Sequence, residues 1–304
     1  MKKVLVTGGA GFIGLSLIKY LRKKKYKIYV IDLPKKIKKY KKELEGCILI
    51  PGHIENKSLF KKVGKKINTV FHLAGKVSAQ VSEKDPLNCM KTNVLGTVNL
   101  FQWSLKNKPK KIVFASSMGV YGKLAANAKE NSHCKPISIY GISKLASEEI
   151  LSKLISRYTK VIILRLFTVY GPGQNMENMK QGMFSIYLSQ ILKHKKVFIK
   201  GSLKRFRDFI FINDVVSALT LNFKKSGIYN VGFGKPYKVI DVLKILFKLT
   251  NNNFSRKKIK FLTKHSGDPW GNFANISKIK KAGWTPKFNL ISGAKETLKS
   301  ILIK

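Results

Sequence analysis

The chain has 304 residues, 44 % hydrophobic and 25 % charged, a globular composition that excludes wholesale disorder and the collagen-like and low-complexity classes. Its 60 basic and 15 acidic residues give a net charge of +45. Only six cations are Arg and the lysines run from residue 2 to residue 304, so compositional bias outweighs a specific nucleic-acid reader, which concentrates arginine on one face.

Lys3 to Thr7 reads as a buried strand that ends in glycines, and Phe12, Ile13, Leu17, Ile18 and Leu21 then follow helical spacing over 12–24. A second strand covers 27–31 and ends at Asp32, and residues 35–42 read as a lysine-rich solvated loop. Further short apolar runs lie at 47–50, 69–73, 111–115 and 161–164, separated by helical stretches at 57–66, 87–106 and 138–157. Strands alternating with helices predict right-handed βαβ units and a doubly wound parallel α/β sheet of Rossmann type. Past residue 170 the rhythm loosens into what reads as a smaller C-terminal substrate-binding lobe. The expected division is a dinucleotide-binding domain over 1–169, to which part of 208–232 returns, and a substrate lobe over 170–304. The three cysteines (Cys47, Cys89, Cys134) are far apart, and no apolar run reaches the ~18 residues of a membrane span. Neither a disulfide framework nor a zinc cluster is expected, the five histidines lack metal spacing, and a cytoplasmic protein is.

Glycines at 8, 9, 11 and 14 sit between the first strand and the first helix, and Asp32 follows Gly14 by 18 residues. Glycine is needed where a turn demands positive φ and where backbone must touch a pyrophosphate, which then faces the helix N-terminus. Gly8, Gly11, Phe12, Ile13 and Gly14 are therefore the candidate pyrophosphate loop. Asp32 would accept from the adenosine ribose hydroxyls and repel a 2′-phosphate, favouring NAD over NADP.

Tyr140 and Lys144 stand at i and i+4, one helical turn apart. An ammonium beside a phenol is expected to lower the tyrosine pKa from about 10 and make it a base for a hydroxyl proton. Ser116 and Ser117 end the strand over 111–115, at the carboxyl edge where such sheets do chemistry.

Taken with TGGAGFIG (7–14), FHLAG (71–75), DP (85–86), TNVLGTVNL (92–100), SSMGVYG (116–122), YGISK (140–144), RLFTVYGPG (165–173) and RDFIFINDVVSA (207–218), the chain resembles the extended short-chain dehydrogenase/reductases, specifically their nucleotide-sugar epimerases and dehydratases. The resemblance implies Tyr140 as catalytic base, Lys144 also on the nicotinamide ribose, and Ser117 on the sugar hydroxyl that is oxidised. It implies that Ile54, Leu73, Ala74 and Gly75 line the cofactor, with Asn93 as a buttress. Thr168, Arg207, His265 and Asp268 are the implied substrate contacts, and Arg205 is a weaker candidate. A homodimer paired through the long helices is implied as well.

Three departures shape the expected function. His53 stands where relatives carry the Asp that holds the adenine amino group. Met118-Gly119 replaces the acid that 4,6-dehydratases carry after the catalytic Ser/Thr, so loss of water lacks its proton donor. His265 replaces a phosphate-binding arginine. The resulting expectation is NAD-dependent epimerisation at C4 of a UDP-hexose or UDP-hexuronate through a 4-keto intermediate. A nucleotide-sugar ketoreductase is the enzyme alternative, ahead of a dehydratase. A dinucleotide-sensing or RNA-binding protein on the same fold is the non-enzyme alternative.

Overall fold

The computed structural model describes residues 1–155, 158–179, 182–262 and 270–302. In chain order, its first half holds β1 (Lys3–Thr7), α1 (Phe12–Lys23), β2 (Lys27–Asp32), α2 (Pro34–Lys39), β3 (Ile48–Pro51), β4 (Thr69–His72), α3 (Ala79–Lys84), α4 (Pro86–Met90), α5 (Gly96–Asn107), β5 (Lys111–Ser117), β6 (Leu124–Ala128), α6 (Ile139–Ser152) and β7 (Lys160–Leu166).

Seven parallel strands form the main sheet in the order Gly227–Val231, β7, β5, β4, β1, β2, β3. The order reverses between β1 and β4, which opens a crevice at their carboxyl ends. Both faces are covered, so the strands are continuous Val/Ile/Leu runs whose alternate residues enter different cores. Val4 and Val6 of β1 join the cluster under α1, whereas Leu5 joins the cluster that holds Leu100, Trp103 and Leu151. A third cluster, built on Tyr170, Phe184, Phe209, Phe211, Leu243 and Leu246, belongs to the later half of the chain. There a short sheet runs in the order Tyr237–Lys238, Phe206–Arg207, Gly271–Ala274, β6, and so brings Arg207 beside residues more than 60 positions away.

Three local expectations need correction. The lysine-rich segment is no loop over its whole length: Pro34 opens α2 and its Ile37 is buried, which sequence periodicity could not show in so short a helix. The stretch 57–66 forms only a 3₁₀ turn over Lys57–Lys62, capped by Asn56, whose side chain accepts from Ser58 N. The helix expected over 87–106 is broken by a π-helical turn at Lys91–Leu95, and that turn carries the buried Asn93. Such turns recur where a helix must place one side chain out of register.

Candidate active site

The crevice beside β1 is a cleft of about 360 Å³. Gly8, Gly11, Phe12, Ile13, Gly14, Asp32, Ile54, Leu73, Ala74 and Gly75 all line it. Gly8 sits at φ +74°, and a Cβ there would meet Ala74 N at 2.6 Å. A Cβ on Gly14 would run into the carbonyl of Gly8. The first turn of α1 therefore approaches the loop backbone only as glycine. Asp32 is buried at the end of β2, where Oδ2 accepts from Ala10 N at 2.8 Å and Oδ1 from Leu33 N at 2.7 Å. The carboxylate thus shapes the glycine loop as well as facing the cleft. Lys36, His53 and Glu55 also face it, and His53 Nδ1 lies 3.3 Å from Glu55 Oε1. These residue types, positions and shapes fit a dinucleotide.

Asn93 stands behind this wall. Its Oδ1 accepts from Lys76 N at 2.7 Å, and its Nδ2 donates to Lys76 O at 3.0 Å and to Ser143 Oγ at 2.8 Å. The loop after β4 is thereby clamped to α6. His72 is buried at the end of β4 between Thr7 Oγ1 at 2.7 Å and Thr97 Oγ1 at 3.0 Å. Thr97 itself donates to Asn93 O at 2.5 Å, which assigns the Nε2–H tautomer to a neutral His72. Burial and the nearby Lys144 hold the His72 pKa down to about 3.

A second cavity, of about 540 Å³, opens on Ser117, Met118, Gly119 and Tyr140. Ser138 caps α6 by accepting from Gly141 N at 3.1 Å, which fixes the first turn that carries Tyr140. The Tyr140 phenol is pushed up to about 12 by burial, against a hydrogen bond with Ser117 that pulls it down. Burial pushes Lys144 down to about 8; its Nζ donates to Ala115 O at 2.9 Å and lies 4.7 Å from the Phe114 ring centre. The expected lowering of the phenol pKa by Lys144 is therefore corrected. The spacing sets the two groups one helical turn apart, but burial dominates, and what opposes it is the Ser117 hydroxyl and not the Lys144 ammonium. Gly75, in the wall of the cleft, packs directly over the lysine: a Cβ there would lie 3.4 Å from Lys144 Nζ.

One turn beyond Lys144, Glu148 forms a buried pair with Arg165 at 2.7 Å and also accepts from Ser116 Oγ. The strand ending in Ser117 is thus fastened to α6 on two sides.

The larger cavity also takes Thr168, Lys200, Arg205 and Arg207 into its wall. Arg207 is buried, with Nη1 donating to Phe206 O at 2.8 Å and Trp270 O at 3.3 Å. Arg205 is buried too and donates to Lys200 O. His265 and Asp268 lie outside the described residues, as does Lys264. Sequence reasoning missed Ser78, Gln80, Phe198 and Asn272 in this wall. No local pattern marks Asn272, which reaches the cavity only because its strand pairs with residues distant in sequence. Among the described residues, no group of three or more His, Cys, Asp or Glu side chains is placed to hold a metal ion.

Residues 4–232 match the NAD dependent epimerase/dehydratase family. A putative UDP-glucose 4-epimerase of Methanocaldococcus jannaschii is 32 % identical over 303 residues, covering 97 % of each chain. Among solved structures, the UDP-glucose 4-epimerase of Thermotoga maritima with UDP-glucose superposes with a TM-score of 0.90 at 28 % identity, over 99 % of both chains. The UDP-glucuronic acid 4-epimerase of Bacillus cereus, in complex with UDP-glucuronic acid and NAD, gives 0.86 at 28 % identity over 99 % of both chains.

Proposed function

The chain belongs to the NAD dependent epimerase/dehydratase family, and from that premise we propose that it is an NAD-dependent nucleotide-sugar epimerase acting at C4 of a UDP-hexose or UDP-hexuronate. Relatives over nearly the whole chain are described as UDP-sugar 4-epimerases, and one is solved with NAD and its nucleotide sugar. The observation that carries the reading is that Ser117 and Tyr140 open into the same cavity as the buried Arg207.

The glycine loop, Asp32, Ile54 and residues 73–75 would hold the dinucleotide, with Lys144 behind Gly75. When bound, NAD supplies a hydride acceptor that returns the hydride within one cycle. The chain's own residues move the proton. Ser117 orients the C4 hydroxyl, Tyr140 takes its proton, and the phenol gives it back when the ketone is reduced on its other face. Arg207 offers a planar fork to the substrate diphosphate, and Thr168 is a further substrate contact. His265 and Asp268 complete the proposed substrate set. Asn93 and Lys144 hold the geometry of the cofactor side.

The cofactor-binding part is assigned to 1–169 with part of 208–232, and the substrate lobe to the remainder of 170–304. Leu95, Leu105, Ile142 and Ile155 are exposed along α5, α6 and their ends. That apolar surface suits an isologous homodimer. Among the described residues, no helix is long and apolar enough to cross a membrane, and the three cysteines are free. A cytoplasmic location is the matching proposal.

The test is mass spectrometry of the supernatant from denatured protein, followed by NMR of UDP-glucose and UDP-glucuronate incubated without added cofactor. Released NAD and a C4-inverted product support the reading. Turnover only with added reduced cofactor would make the protein a ketoreductase, and no turnover with a specific RNA bound would make it a binding protein.

A further inference from the structure

The helix α6 that carries Tyr140 is capped only in part by its own N-cap residue. Of its first three backbone N–H groups, only that of Gly141 is taken by its own cap, Ser138. Ile139 N donates to Glu83 Oε1 at 3.0 Å, and Tyr140 N donates to Ser82 Oγ at 3.0 Å. Both acceptors sit on α3, more than 50 residues earlier in the chain. Ser82 is buried, and its hydroxyl in turn donates to Ala79 O at 2.8 Å. Ala79 lies in the wall of the larger cavity together with Ser78 and Gln80. An unbroken line therefore runs from the backbone of Tyr140 through the Ser82 hydroxyl to the cavity wall.

The wall end of that line is strained. Ser78 has φ +93° and ψ 121°, a region that non-glycine residues rarely occupy. Such a conformation persists where its surroundings over-determine it. Here Ser78 O accepts from Ser82 N at 3.1 Å and Ser78 Oγ from Val81 N at 3.4 Å, so the strained residue, α3 and the start of α6 form one hydrogen-bonded unit.

We propose that Ser82 and Glu83 are positioning residues for Tyr140, coupling the cavity wall at Ser78–Gln80 to the aim of the phenol through the first turn of α6. A sugar seated against that wall presses on the same unit that fixes where the phenol points. Neither residue touches the reacting atoms. Their contribution is to the step that needs alignment, since small misplacements of a base cost much rate. The proposal rests on the epimerase reading only for its kinetic arm.

The experiment uses the full chain with its retained NAD, comparing wild type with Ser82→Ala, Glu83→Met and Glu83→Gln. Hydrogen exchange is read at the amides of residues 139–141, and kcat and KM are measured with UDP-glucose and UDP-glucuronate. Loss of one acceptor is expected to speed exchange of its partner amide about fivefold or more, while amides in the later turns of α6 keep their wild-type rates. Ser82→Ala is expected to lower kcat about tenfold with KM changed less than about twofold and NAD content unchanged. Glu83→Met, at an exposed site that tolerates substitution, should show the same pattern more weakly. Glu83→Gln keeps an acceptor and should restore wild-type exchange and kcat. Wild-type exchange at the Tyr140 amide in Ser82→Ala overturns the proposal. So does a loss shared equally among kcat, NAD content and exchange across all of α6, which marks general loosening. If neither nucleotide sugar is turned over, the epimerase reading fails, while the exchange arm still decides the coupling.

Discussion

Lys144 and Ala115 are joined by a hydrogen bond, in which Nζ of the lysine donates to the carbonyl oxygen across 2.9 Å. The ammonium of α6 is thereby tied to the strand that ends two residues later in Ser117. The helix carries the phenol, the strand carries the hydroxyl that bonds it, and this link sets their distance. Glu148 repeats the tie one turn further on through Ser116. The placement of Ser117 relative to α6 rests on these two strand-to-helix bonds.

Tyr140→Phe should lower kcat by about 10² or more, the range of a lost general base. The phenol lines the larger cavity and not the dinucleotide cleft, so NAD content should stay at the wild-type level. Burial holds the phenol pKa up at about 12, so the proton-accepting form gains population as pH rises through neutrality. Wild-type kcat should climb in that direction, and the slope should vanish in the variant. Steady-state rates and released NAD, measured at several pH values, check both halves.

The pair Glu148–Arg165 is buried on both sides and bonded at 2.7 Å. Removing one partner strands the other charge in a dry site, which costs about 3–5 kcal/mol. Glu148→Ala should show that loss in urea unfolding, whereas the double variant Glu148→Leu with Arg165→Met should recover part of it. A Glu148→Ala protein as stable as wild type would mean that water reaches Arg165.

The division between what was legible in the sequence and what was not follows the range of the interactions. The glycine loop, Asp32 and the βαβ rhythm are local, since each depends on backbone needs within about one unit; the parallel sheet is as expected, and the loop and Asp32 line one cleft at its strand ends. Ser117 and Tyr140 were found through motifs, and the structure puts them in one cavity. What stayed hidden depends on distant partners. Asn272 reaches the cavity because its strand pairs with residues 206 and 124–128, and the π-helical turn that carries the expected buttress Asn93 left no mark in the helical spacing. The pKa of Tyr140 also went the other way, because an i to i+4 spacing reports neighbours but not desolvation. The 54 lysines blurred the signal further: α2 was masked by its own charge, while the rare arginines at 165, 205 and 207 proved to be buried.

Arg207→Ala should raise KM for a UDP-sugar by an amount worth about 1.5–3 kcal/mol, the range for a hydrogen bond to a charged group. Arg207→Lys should recover only part of it, because a point charge lacks the planar fork. The guanidinium also donates to Phe206 O and Trp270 O, so circular dichroism should confirm an intact fold before the comparison. An unchanged KM in both variants would remove Arg207 from the substrate site.

Two buried groups give the stability opposite dependences on pH. His72 has its pKa lowered from 6.5 to about 3 by burial and by Lys144. The unfolded chain therefore binds a proton that the folded chain refuses between those values. Stability from this group is full above about 6.5 and is lost progressively as pH falls toward 3. Asp208 is raised from 3.8 to about 6 by burial, although Phe233 N, Gly234 N and Ala274 N all donate to it. Here the folded chain takes the proton first, so stability is gained as pH falls from about 6 to about 3.8. Through that shared window the two one-proton slopes oppose each other. Relative to wild type, His72→Gln should lose stability less steeply on acidification and Asp208→Asn more steeply. Urea midpoints of the three proteins between pH 7 and pH 4 read the differences, in which the common repulsion of the +45 charge cancels. If the wild type and His72→Gln curves run parallel through this range, His72 already carries its proton in the fold, and the neutral Nε2–H tautomer between Thr7 and Thr97 is wrong.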